Sequence, residues 1–176
     1  MPLTAKQILK AAVVPGKSQR VYSIGSFSKR VNFLAQQRRA LNLVWALSED
    51  GRLENKPRVA VIGGGLAGVT AAAALIAFDV AVDVFEKGGR VLHRQRKTAH
   101  RRVHPTINAW PFEKISVATE LPFYDWSVGV SSEVAEAIAS DFEKTMMDFE
   151  YDINVGVTAR DLAPIGTRAV FDQSGS

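Results

Sequence analysis

Apolar positions along this chain fall into runs of two periods, and the longest run is Arg58-Val-Ala-Val-Ile-Gly-Gly-Gly-Leu-Ala-Gly-Val-Thr-Ala-Ala-Ala-Ala-Leu-Ile-Ala-Phe78. Residues 59–63 are β-branched or small and have no polar face, which predicts a short buried parallel strand. Residues 65–78 are rich in alanine and free of proline, which predicts a helix. Residues 80–85 predict a second strand that ends at Glu86. Where the first strand must turn into the helix stands Gly63-x-Gly65-x-x-Gly68.

The flanking patterns are helical before this unit and mixed after it. Residues 5–12 predict a short helix, broken at Pro15-Gly16, followed by a short strand at 21–24 and a turn at Gly25-Ser-Phe-Ser28. From about Lys29 to Leu47, Leu34, Leu41, Val44, Trp45 and Ser48 recur at helical spacing, with Gln36, Arg38, Arg39 and Asn42 on other faces and Gly51 as terminator. Trp45 is expected in the core. Residues 131–147 predict a helix capped by Ser131 or Ser132, with Val134, Ala137, Ile138, Phe142 and Met146 as its buried stripe. Strands are expected at 153–158 and 167–171, joined by a turn around Ala163-Pro-Ile-Gly166. The fold class is therefore α/β: a Rossmann-like βαβ dinucleotide-binding fold with a parallel sheet, an N-terminal helical extension over residues 1–57 and a C-terminal β-hairpin within a domain over 58–176.

The glycine spacing has a chemistry. Gly63 permits the tight turn, Gly65 lets the backbone approach a pyrophosphate, and Gly68 lets the helix pack closely on the sheet. The amides of Gly65, Leu66 and Ala67 have no intrahelical acceptor and sit at the positive end of the helix dipole, so they suit a dianionic pyrophosphate. Glu86 follows Gly63 by 23 residues, near the spacing of an acid that accepts from a ribose 2′-hydroxyl. A carboxylate there repels a 2′-phosphate, which favours FAD or NAD over NADP, and Lys87 next to it softens that repulsion. The alternative is a glycine turn that only packs a βαβ unit.

Composition narrows the chemistry further. With 176 residues and 47% apolar content the chain can bury one sizeable core. It has no cysteine, which excludes disulfides and thiolate chemistry and leaves electron transfer to a bound cofactor. No stretch qualifies as a membrane span, nor the N-terminus as a signal peptide, so a cytoplasmic location and no membrane partner are expected. The net charge is +4, with Arg90, Arg94, Arg96, Lys97, Arg101 and Arg102 clustered. This cluster is read as a solvated loop flanking a phosphate site rather than a nucleic-acid surface, because interleaved aromatic residues are missing. His93, His100 and His104 are the only histidines. Without an accompanying carboxylate or cysteine, and with Pro105 ending any helix, they are not read as a metal site.

Val59-Ala-Val-Ile-Gly-Gly-Gly-Leu-Ala-Gly68 with Val84-Phe-Glu-Lys87 resembles the N-terminal ADP-binding segment of the two-dinucleotide-binding flavoproteins, the FAD-dependent (NAD(P)/FAD) oxidoreductases. Arg102-Val-His-Pro105, Ile107, Trp110-Pro111 and Leu121-Pro-Phe-x-x-Trp126 are similar to a bacterial group within them. The resemblance implies FAD as cofactor, with Gly63, Gly65 and Gly68 on the pyrophosphate, Glu86 on the adenosine ribose, and Val155 or Val157 passing the adenine. Gly88-Gly89-Arg90 follows the acid after one lysine, closer than in many flavoproteins. Arg90 is thus a phosphate-ligand candidate with a solvated arginine as the alternative. His104, its backbone restricted by Pro105, is a candidate beside the flavin, with a structural hydrogen-bonding role as the alternative. The aromatic loops read as core or as a wall for a ring. The resemblance further implies an N-terminal portion of a longer flavoprotein, with its substrate region or a partner chain elsewhere, so activity of this chain alone stays open. A non-catalytic nucleotide-binding module and an NAD-dependent dehydrogenase domain are the alternative readings.

Overall fold

The structure, a computed structural model, describes residues 3–17, 20–25, 32–106, 116–165 and 168–173. Thr4 opens the first helix, α1 (Ala5–Ala12), with a capping box: its hydroxyl accepts from the Gln7 amide at 3.3 Å, while Gln7 Oε1 accepts from the Thr4 amide at 2.9 Å. The strand expected at 21–24 reduces to one antiparallel bridge between Val13 and Tyr22. The second helix, α2 (Phe33–Glu49), starts later than the pattern predicts, because Asn32 is extended and its side chain accepts from the Ala35 amide at 2.7 Å.

The centre is a three-stranded parallel sheet. β1 (Val59–Ile62) pairs with β2 (Val82–Glu86) across the helix α3 (Leu66–Ala77), and a later strand, β5 (Ile153–Val155), pairs with β2 on its other side, giving the order β1-β2-β5. Between β2 and β5 the chain forms a one-turn helix, α4 (His93–Arg96), two short paired strands, β3 (Arg102–Val103) and β4 (Gly129–Val130), and the long helix α5 (Ser131–Asp148). The three parallel strands end at Ile62, Glu86 and Val155, so their carboxyl ends share one edge, the edge where ligands meet open α/β sheets.

β1 is not buried on both faces as its composition suggests. Val61 is buried in the core it shares with α3, but Ala60 is exposed and Ile62 is 43% exposed, because alternate side chains of a strand point to opposite faces and these two lie opposite Val61. α3 is buried almost throughout, from Leu66 to Ile76, being wedged between the sheet and α2. The shared core joins Leu34, Ala40 and Val44 of α2 with Val69, Ala72 and Leu75 of α3, Val82 and Val84 of β2, and Ile138, Phe142 and Met146 of α5.

Two helices present other faces than their patterns predict. On α2 the buried positions run through Leu34, Gln37, Ala40 and Val44, while Leu43 and Ala46 face α1 with Leu9. Trp45, expected in the core, lies outside both contacts and is 44% exposed. On α5 the stripe takes Ala135 and Ala139 in place of Ala137, and Val130 rather than a serine precedes the first turn, without a side-chain cap.

The strand expected at 153–158 divides at Gly156, whose φ of +72° breaks the extended backbone. Its first part is β5, and its second begins β6 (Val157–Ile165), which pairs with β7 (Arg168–Gln173) as an antiparallel hairpin. Ala163, Pro164 and Ile165 belong to that strand and not to a turn. Residues 26–28 of the expected turn, Ile107, Trp110, Pro111, Gly166 and the chain's last three residues lie outside the described residues.

Gln37 is fully buried: its amide donates to the Tyr124 carbonyl at 3.0 Å and its Oε1 accepts from Trp126 Nε1 at 2.8 Å. Replacing it strands an indole N–H and a carbonyl that water does not readily reach. Gln37→Leu is expected to lower stability by about 2–3 kcal/mol, read as a lower denaturant midpoint at unchanged slope; an unaltered midpoint would deny this bridge its role.

Candidate functional site

The turn between β1 and α3 is built by backbone sterics. Gly63 has φ of +101°, a region L side chains rarely adopt, and its amide donates to the Phe85 carbonyl at 2.7 Å, which holds the turn to the end of β2. A Cβ at Gly68 would run into the Gly63 carbonyl oxygen and lie 3.1 Å from its carbon. The helix can therefore sit this close to the strand only with glycine there. Gly64, absent from the motif as read, is equally constrained: a Cβ would stand 2.8 Å from Val91 Cγ1 and 3.2 Å from a Glu86 carboxylate oxygen. That crowding comes from the loop after β2, which is invisible in the local spacing.

Gly65 differs from all of these. It caps α3 with φ −76° and ψ 178°, a conformation open to any residue, makes no side-chain cap, and would meet nothing within 4 Å if it carried a Cβ. The backbone of Gly65 thus faces open space at the first turn of α3, where the amides of Leu66 and Ala67 lack intrahelical acceptors.

Glu86 stands beside this turn. One carboxylate oxygen accepts from the Gly64 amide at 2.6 Å and the other from the Gly88 amide at 2.6 Å. The acid therefore ties the glycine turn to the loop after β2, a role its spacing did not announce. A carboxylate offers about four acceptor positions, so each oxygen retains capacity toward a ligand. The Leu92 amide donates to the Gly64 carbonyl at 2.8 Å, a second tie between the two loops. Val155 pairs with Glu86 in the sheet and is 44% exposed, while Val157 is buried. Lys87, Gly89 and Arg90 are exposed on the same loop. His93 Nδ1 is a buried polar atom with no hydrogen-bond partner.

The basic cluster is less uniform than its sequence suggests. Arg96, expected in a solvated loop, has a side chain only 7% exposed: its Nε donates to Glu136 at 2.5 Å, with a second bond to the same carboxylate and one to Glu143 at 3.4 Å. That pairing holds the Glu136 carboxyl below the usual carboxylate range and pins α4 to α5. His104 is not gathered at the glycine turn. It lines a pocket of about 310 Å³ with Arg94, Arg101, Arg102, Phe33 and Trp126, a wall that includes none of the glycine-turn residues nor Glu86.

With this geometry in view, the comparison with known families is specific. A family model described as an NAD(P)-binding Rossmann-like domain, one found in FAD-dependent oxidoreductases, matches residues 61–112, from the middle of β1 past β3. The matched stretch covers under a third of the chain, and the parallel order β1-β2-β5 with α3 between the first two strands is that of a Rossmann-like nucleotide-binding fold. No curated protein and no solved structure matches it. Among the described residues no helix is long and apolar enough to cross a membrane.

The two glycines of the turn should respond oppositely to a methyl group. Gly68→Ala is expected to cost about 2 kcal/mol or more by forcing α3 off β1, whereas Gly65→Ala should change stability by less than about 1 kcal/mol. Thermal unfolding of both variants beside the parent checks this, and equal midpoints would contradict the close approach.

Proposed function

We propose that this chain is the FAD-binding part of a flavin-dependent oxidoreductase, with the ADP half of the cofactor laid across the β1–α3 turn. The observation that carries the reading is Gly65. The turn's packing explains glycine at 63, 64 and 68, but at 65 neither φ nor neighbours require it. A pyrophosphate approaching the backbone does require it. The residues present fit such a group: open space over Gly65, unpaired first-turn amides at Leu66 and Ala67, and an acid at the end of β2. Glu86 retains acceptor capacity for a ribose hydroxyl beyond its two amide bonds, and its charge opposes a 2′-phosphate. Lys87 and Arg90, exposed on the adjoining loop, add positive potential near the phosphates, and Val155 offers the exposed edge along which adenine would lie.

When bound, flavin supplies the hydride or electron chemistry, and the protein supplies position and electrostatics. The chain's own part is to hold the diphosphate with backbone amides and to select an unphosphorylated ribose. NAD is the second reading, favoured by the description of the matching family as NAD(P)-binding. A module that binds the nucleotide without catalysis uses the same turn.

Three measurements separate these. The purified chain is expected to carry the yellow absorption of oxidised flavin or to acquire it with added FAD; a colourless chain stabilised by NAD alone would favour the second reading. ADP binding should vanish in Gly65→Val at an unchanged thermal midpoint, and retention of parental affinity would remove the diphosphate from this turn. Glu86→Gln should narrow the preference for NAD over NADP by about tenfold, the weight of one charge–charge opposition; identical preferences would take Glu86 out of the ribose site.

A further inference from the structure

We propose that the pocket between the start of α2 and the α4–β3 segment is a second binding site, for a small aromatic carboxylate. Its charge is one-sided. Arg94, Arg101 and Arg102 line it together with His104, and among the described residues no carboxylate does. Among the described residues no acid pairs with Arg94, Arg101 or Arg102, although Arg96 in the same segment is saturated by Glu136 and Glu143. These three arginines are exposed around one concavity, and the positive potential they give it is complemented by an anion. His104 supplies a ring N–H donor. Its Nδ1 accepts from the Thr106 amide at 3.2 Å, which places the ring proton on Nε2.

The lining also includes two aromatic rings, Phe33 and Trp126. The Phe33 and Trp126 rings meet edge to face at 5.7 Å. Trp126 is held by the buried Gln37, so the wall is preorganised and costs little ordering on binding. A cavity of about 310 Å³ lies at the small end of ligand sites, which suits a body of one or two rings. Asn32, Gln36 and the buried Ser131 also line it and add polar groups for an oxygen substituent. The site neighbours the nucleotide turn, since Arg94 is two residues, at most about 7 Å of chain, beyond Leu92, whose amide holds the Gly64 carbonyl. It shares no residue with that turn and stands whether or not a dinucleotide binds there.

The test is calorimetric titration of the full chain with 2-naphthoate, beside its neutral analogue 2-naphthamide and inorganic phosphate. The acid is expected to bind at one site, at least about tenfold tighter than the amide, the weight of one charge-assisted hydrogen bond, and without competition from phosphate at equal concentration. The double variant Arg94→Gln, Arg102→Gln should lose about tenfold or more in naphthoate affinity while keeping the parent's ADP affinity. Gly65→Val should do the reverse, so failure of one site is told apart from failure of the other. Absence of naphthoate binding, equal affinity for acid and amide, displacement by phosphate alone, or a double variant that binds like the parent would each overturn the proposal. The acid-to-amide comparison decides the matter in the unmodified chain even where the double variant does not fold.

Discussion

No side chain fits between α3 and β1 where the helix crosses the Gly63 carbonyl, and this exclusion sets the geometry of the whole nucleotide-binding half. Because Gly68 removes the obstacle, α3 can descend onto the sheet closely enough for Val69, Ala72 and Leu75 to join β2 and α5 in one core. The same closeness forces the chain through φ of +101° at Gly63 and leaves the first amides of α3 pointing outward at the carboxyl edge of the sheet. Packing and ligand geometry are thus one constraint: the approach that seals the core also bares the helix start.

Glu86 links that constraint to the rest of the edge. A carboxylate accepting two backbone N–H groups is strongly oriented, and here the two amides come from different loops, Gly64 before α3 and Gly88 after β2. The acid is therefore rigid before any ligand arrives. It differs in this from a surface glutamate, which would lose side-chain entropy on binding a ribose. It also means that deleting the carboxylate disturbs the turn itself, apart from any effect on the proposed ribose contact, whereas exchanging it for an amide keeps an acceptor oxygen.

Most of this half was legible because its signals are local. Strand, glycines and helix lie within some twenty residues, and the duties of Gly63 and Gly68 follow from backbone sterics. What escaped depended on contacts distant in sequence. Gly64 lies outside the spaced glycines, and its constraint comes from Val91 and Glu86 placed against it. Arg96 looked solvated because its partners, Glu136 and Glu143, lie forty and more residues away. Trp45 shares its helical spacing with Leu41 and Val44, yet α2 is contacted by α3 on one side and α1 on another, which moves the buried stripe onto Gln37. A buried glutamine is unreadable from periodicity, since only its partners, the Trp126 indole and the Tyr124 carbonyl, make its burial favourable. Composition misjudged β1 for a similar reason: two apolar faces were inferred from its residues, while the neighbours that would cover the Ala60 and Ile62 face are a matter of topology.

The segment after β2 shows how one short stretch divides its charges. Leu92 fastens it to the glycine turn and Arg96 to α5, so α4 is held at both ends and its remaining side chains have fixed origins. Arg96 points at acids that α5 provides and is neutralised within the fold; Arg94, two residues earlier and so on another face of the short helix, meets none of them. Arg101 and Arg102 flank the β3–β4 pairing, where Arg102 lies opposite Val130 and the Arg101 carbonyl accepts from the Ser131 amide at 2.7 Å. Backbone pairing at β3 thus fixes where these guanidinium groups originate without offering them a carboxylate. Among the described residues folding has paired the charge of one arginine and left that of three, and the three line a single concavity with Phe33 and Trp126.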